Sequence, residues 1–144
     1  MLRRKNKALI AKNIFLFLLV AIAARAGGNM KIEVENNSKV AVFALNESDA
    51  AKELYAQLPL VVKVEDFADN EKIFYPPKKL GAANAPKAAN PKAGILAYYA
   101  PWGNAVLFFA PFKPNSNLYE LGEAIGGAEH IKTMRGEIKV SKAE

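Results

Sequence analysis

The sequence has no cysteine, one histidine and one tryptophan among its 144 residues. Without cysteine there is no disulfide scaffold, thiol nucleophile, zinc knuckle or lipid attachment through a thiol. A single histidine excludes any site built on two or three imidazoles. Excess charge is also missing where it would matter. The net charge of +6 sits in residues 1–29, where Arg3, Arg4, Lys5, Lys7, Lys12 and Arg25 face no acid. From Met30 onward, 14 basic side chains balance 14 acidic ones. That part exerts no overall pull on phosphates, so nucleic acid is not an expected partner. No internal repeat is visible. The longest apolar stretch, residues 14–24, is shorter than the about 20 residues that span a bilayer. No stable membrane span is therefore expected in the mature domain.

What is present suffices for one domain. Hydrophobic residues make up 51% of the chain, enough for a core and too many for wholesale disorder. Residues 1–29 read as a basic segment, an apolar stretch and Ala24-Arg25-Ala26-Gly27-Gly28, the layout of a secretory signal cut after Ala26. That would place residues 30–144 in the periplasm or outside the cell. An uncleaved amphipathic anchor is a weaker alternative. A further alternative is translation from Met30, with Gly27-Gly28-Asn29 as translated ribosome-binding sequence, and a cytoplasmic domain.

From Met30 the pattern is that of short strands. Residues 31–35 alternate polar and apolar side chains, the period of a half-buried strand, and residues 39–45 continue after the turn cluster Asn36-Asn37-Ser38. Residues 46–49 form a helix-start cluster. Ala51, Leu54, Tyr55 and Leu58 then share one helical face, until Pro59 ends the helix. Strands are expected at 60–65, 71–75, 95–100, 105–110, 118–124 and 136–141. Between them come the charged turn 66–70, the long loop 78–93, a turn at Pro101-Trp102-Gly103-Asn104, a break at Gly126-Gly127 and a helical turn at 128–134. The loop is expected to be a solvated excursion, and Gly103 and Asn104 to take the positive-φ positions of a hairpin turn. Many short strands hide their edges best by closing on themselves. The expected fold class is mainly β, a small closed barrel with one or two short helices.

Specific strings point further. Gln57-Leu58-Pro59-Leu60, Asn70-Glu71-Lys72-Ile73, Leu121-Gly122, Gly126-Gly127-Ala128-Glu129 and above all Leu96-Ala97-Tyr98-Tyr99-Ala100-Pro101-Trp102-Gly103-Asn104 resemble the small bacterial cyclophilin-like domain family. The resemblance covers residues 30–140. It implies a cyclophilin-type barrel in proteins mostly of unassigned function. Two positions depart from the pattern: Gly94-Ile95 stands where the family often has Gly-Asp, and Phe108-Phe109-Ala110-Pro111 lacks the acid that often follows. True cyclophilins, similar in fold, twist Xaa-Pro amides with a hydrophobic pocket and an arginine. Their Arg-and-Phe strand motif is not visible, and Arg135 is the only arginine after Arg25.

Other chemistry finds little support. His130 and Glu129 are adjacent on a helical turn and point apart. No serine lies in a nucleophile elbow. Asp66, Asp69 and Glu71 lack the spacing of a calcium loop, and Gly126-Gly127 lacks the lysine of a phosphate loop. No metal and no cofactor are expected. The aromatics are more informative, being crowded between residues 74 and 119. Strand alternation sends about half of them inward, whereas Trp102 in a turn can act as a lid or stand at the rim of a groove. The expected ligand-contacting residues are Tyr98 or Tyr99, Trp102, Phe109 and Arg135. The leading functional expectation is a binding module, without strong catalysis, for an extended or proline-containing peptide or a small ligand. The rival is a peptidyl-prolyl isomerase in which Arg135 orients the amide.

Overall fold

A computed structural model describes residues 30–144. The leader, cleavage after Ala26 and the segment preceding a start at Met30 lie outside the described residues. Eight antiparallel strands build the domain: β1 (Lys31–Asn36), β2 (Lys39–Leu45), β3 (Leu60–Phe67), β4 (Glu71–Phe74), β5 (Ile95–Tyr99), β6 (Asn104–Phe108), β7 (Leu118–Gly126) and β8 (Gly136–Ala143). They close in the order β1-β2-β7-β5-β6-β4-β3-β8, with β8 pairing back to β1. Closure leaves no edge strand open to another chain. The expected mainly β closed barrel is the fold, accompanied by helix α1 (Asp49–Ala56) and one 3-10 helix (Ala128–Thr133).

The interior follows from the two-residue period. Ile32 and Val34 of β1, Phe43 of β2, Ile138 and Val140 of β8 and Leu107 of β6 all turn inward and are buried. Helix α1 covers one part of this core. The Ser48 hydroxyl accepts from Ala51 N–H at 3.2 Å and caps the first turn, while Asn46 Nδ2 donates to Glu120 O at 2.6 Å and ties the helix start to β7. Ala50, Ala51 and Leu54 are the residues α1 buries, giving an apolar stripe whose packing supports a helix too short to persist alone.

Three local expectations are refined. The 78–93 segment is exposed at most of its positions, as a solvated excursion would be, but is pinned along the barrel at a few points. Leu80 and Ala88 are buried, Leu80 N–H donates to the Tyr98 hydroxyl at 3.0 Å, and Ala88 N–H donates to Leu118 O at 3.0 Å. The scattered apolar residues of such a strap carry no period, which is why its docking is invisible in the sequence. Secondly, Gly103 has φ +75°, but Asn104 opens β6 as a fully buried strand residue. Thirdly, β7 runs on to Gly126, and the turn falls at Gly127, with φ +73°. A Cβ there would stand 1.9 Å from Val40 O, so only glycine permits this approach of β7 to β2.

β5 and β6 differ from the rest of the barrel in being largely apolar on both faces, and Ile73 of β4 joins their outer side. Ile73, Ile95, Ala97, Val106 and Phe108 point outward, yet all are buried. Ala88 of the strap, Leu118 and Phe112 cover them, and Phe112 stacks on Phe108 with ring centroids 3.8 Å apart. This second cluster, outside the barrel wall, carries the site.

Candidate functional site: an aromatic cleft on the outer barrel face

The cover over the second cluster is incomplete. Between the β3–β4 turn, the β5–β6 turn and the 111–115 segment lies a cleft of about 680 Å³, within the roughly 300–1,000 Å³ usual for ligand sites. Each wall has a structural reason. Phe67, the last residue of β3, falls on the outward parity of its strand, opposite Glu71. Tyr99 ends β5 on the same outward face as Ile95 and Ala97. Trp102, on the turn that Gly103 makes possible, folds back toward both. Its ring meets Phe67 edge-on at 5.1 Å and Tyr99 edge-on at 5.5 Å. Such perpendicular aromatic pairs contribute about 0.5–1.5 kcal/mol each beyond area burial. Even so, Trp102 keeps 49% of its surface exposed and Phe67 keeps 42%.

Polar groups punctuate these walls. Asn104 is 1% exposed and its Oδ1 has no hydrogen-bond partner. Glu71 is partly buried with no ion-pair partner among the described residues, and loss of solvent pushes its carboxyl above the ordinary value of 4.5. Asp69 and Lys113 bring one further acid and one base to the rim. The cleft thus joins an apolar body of rings to a few acceptors that lack donors.

The expected contact residues are divided by the barrel wall. Tyr99 and Trp102 line the cleft. Tyr98 does not, because its ring lies in the barrel interior at 1% exposure with its hydroxyl engaged by Leu80. Phe109 packs against the interior cluster, near the ammonium of Lys72 at 6.0 Å. Arg135 sits at that same barrel mouth. Asn36 Nδ2 donates to Arg135 O at 2.7 Å and to Glu137 O at 2.9 Å, which anchors the start of β8. The exposed Asp66 carboxyl pairs with buried Lys72, and that hydrogen bond and charge hold it below its ordinary value of 3.8, with Arg135 contributing less. Neither Phe109 nor Arg135 lines the cleft.

Sequence reasoning passed over Phe67, Glu71 and Asn104 as cleft residues. Phe67 had one usable signal, its outward parity next to a turn. Glu71 read as part of a charged turn, and Asn104 as a turn former. Elsewhere, contrary to the expectation that the two point apart, His130 Nε2 stands 3.6 Å from a Glu129 carboxylate oxygen at the surface. Burial and the charge of Glu123 raise the Glu120 carboxyl, on another face. Among the described residues no group of three or more His, Asp or Glu could hold a metal ion, and no helix is long and apolar enough to cross a membrane.

Comparison with known proteins bears on the fold. Residues 32–142 match the Cyclophilin-like family. Among solved structures, the hypothetical protein AF2241 from Archaeoglobus fulgidus superposes with a TM-score of 0.62 at 19% identity. The match covers 81% of this chain and 97% of that one. At this identity the likeness shows the fold alone. No curated protein matches the chain.

Proposed function

This chain belongs to the cyclophilin-like family, and on that premise we propose that it is a binding module whose outer aromatic cleft takes an extended peptide. The observation that carries the reading is the cleft itself: about 680 Å³ walled by Phe67, Tyr99, Trp102, Phe108 and Phe112, with its polar groups short of partners. A cleft lined by rings suits an extended chain, whose side chains fill it while its amides seek acceptors. Catalysis of amide rotation would need a group that favours the twisted amide over the planar one. No arginine lines the cleft, and Arg135 lies with Asp66 at the barrel mouth. That distribution supports binding over turnover. With the leader read as an export signal, the module works in the periplasm or outside the cell.

The test is NMR exchange spectroscopy on a panel of Xaa-Pro and proline-free peptides with the full-length protein added. Peptide-induced shifts at the Trp102 indole without faster cis/trans exchange are the expected result. Faster exchange that disappears in Arg135→Ala would replace this reading with an isomerase. Absence of both effects would reject a peptide ligand and turn attention to a small molecule.

A further inference from the structure

Two acceptors in the cleft, Asn104 Oδ1 and the partly buried Glu71 carboxylate, have no protein donor among the described residues. Asn104 Oδ1 is buried and unpartnered in the wall, an arrangement that stays unfavourable until a donor arrives. The Glu71 carboxylate is partly desolvated without a cation beside it, and a positive charge is what would favour its ionised form. The rings add to the preference, since aromatic faces attract ammonium and guanidinium groups. Of the charged side chains on the rim, Asp69 reinforces this sign and exposed Lys113 opposes it.

Spacing narrows the ligand. Glu71 pairs across the sheet with Phe108, and Asn104 lies four residues back along β6 from Phe108. At about 3.3 Å per residue the two acceptors are separated by roughly 13 Å along the strand. No single ammonium ion reaches both, but an extended chain of about four residues does.

We propose that the cleft selects an extended peptide bearing a basic side chain, whose ammonium or guanidinium pairs with Glu71 while a peptide N–H donates to Asn104 Oδ1. This rests on the binding-module reading and specifies its ligand. Because Oδ1 is shut off from solvent, the donor reaches it only as the side chains around it in the cleft wall give way.

Trp102 is the only tryptophan in the chain, so its emission reports the event directly. The probes are acetylated, amidated pentapeptides of Ala and Phe with Lys, norleucine or Glu at the centre, each titrated into the full-length protein. Lysinamide serves as the lone-cation control. The Lys peptide is expected to bind at least tenfold more tightly than the norleucine peptide, and the Glu peptide most weakly. Glu71→Gln should erase the Lys advantage, so that the Lys and norleucine peptides bind alike, whereas Glu35→Gln, at the exposed position of β1, should leave the preference unchanged. Methylating the peptide nitrogens one at a time tests Asn104 without altering the protein, and one position should lose at least tenfold. Equal binding of Lys and norleucine peptides would overturn the cation selectivity while leaving the binding module standing. Lysinamide binding as tightly as the Lys peptide, or no N-methyl position mattering, would overturn the spanning peptide. Silence of Trp102 toward every peptide would remove the binding module and this inference together.

Discussion

The wall made by β5 and β6 and the wall made by β1, β8 and β3 enclose the same interior, yet their outer faces obey different chemistry. On β1, β8 and β3 the outward residues are mostly charged, among them Glu33, Glu35, Glu137, Lys139, Lys63 and Glu65, with Glu35 opposite Lys139, Lys63 opposite Glu137 and Val61 an exposed apolar exception. Water suffices to cover that face, and opposite charges set directly across from each other add a modest contribution. On β5 and β6 the outward face, apart from Tyr99 and Asn104 at the cleft, is Ile95, Ala97, Val106 and Phe108, which water cannot cover without cost. The chain answers with the 78–93 strap and the 111–118 segment, and where that cover stops the cleft begins. A strand apolar on both faces therefore announces a second layer, and the gap in that layer is where a ligand has apolar surface to bury.

The contrast can be broken most severely at Phe108. Phe108→Ala removes a buried ring stacked on Phe112 and should cost about 3–5 kcal/mol of stability in urea unfolding. A loss below about 1 kcal/mol would mean the outer cluster is not a second core. Next comes Trp102→Ala, which deletes two edge contacts of a half-exposed ring. It should cost about 1–2 kcal/mol of stability while abolishing peptide-induced shifts in NMR spectra. Undiminished peptide affinity would assign Trp102 a purely structural cover.

Two carboxylates sharpen the comparison by titrating in opposite senses. Asp66 has a lowered value in the folded state, so its stabilising contribution is present above its ordinary 3.8 and is lost as pH falls through the folded value. Asp66→Asn should therefore lower the thermal midpoint at neutral pH, with the deficit vanishing under strong acid. Glu71 is raised, so ionising it opposes folding: the penalty is absent below its ordinary 4.5 and fully present above the folded value. Glu71→Gln should raise the thermal midpoint at pH 7 and lose that gain as pH drops below 4.5. Parallel pH profiles for the two variants would contradict the assignment of opposite environments. The smallest effect is expected for Lys63→Ala on the polar wall, within about 0.5 kcal/mol of the parent by urea unfolding; a larger loss would show that the charged ladder is more than a solvated face.

Much of the barrel is readable along the chain because alternation is a local property. Ile32 and Val34 between Lys31, Glu33 and Glu35 state which side of β1 is inside, and Pro59 and Gly103 mark where segments must stop or turn. The dense runs 95–100 and 105–110 even carry the message that both faces are buried. The site is less readable. Trp102 and Tyr99 stand together in the cleft, while Tyr98, one residue away, is committed to the interior, and periodicity alone does not say which of two neighbours faces inward. Asn104 looks like a turn former because its side chain suits turns, but the register of β6 against β4 and β5 draws it into the wall.

Local sequence determined the eight strands, their turns, the two-sided apolar character of β5 and β6 and the absence of thiol or multi-histidine chemistry. These follow from dihedral preference and from hydrophobic period, which act over a few residues. Tertiary structure decided that Phe67 meets Trp102, that Glu71 and Asn104 share one cleft, and that Arg135 and Phe109 belong to the barrel mouth instead. Those outcomes depend on strand order and register, which bring together residues tens of positions apart, and only closure of the whole barrel sets them.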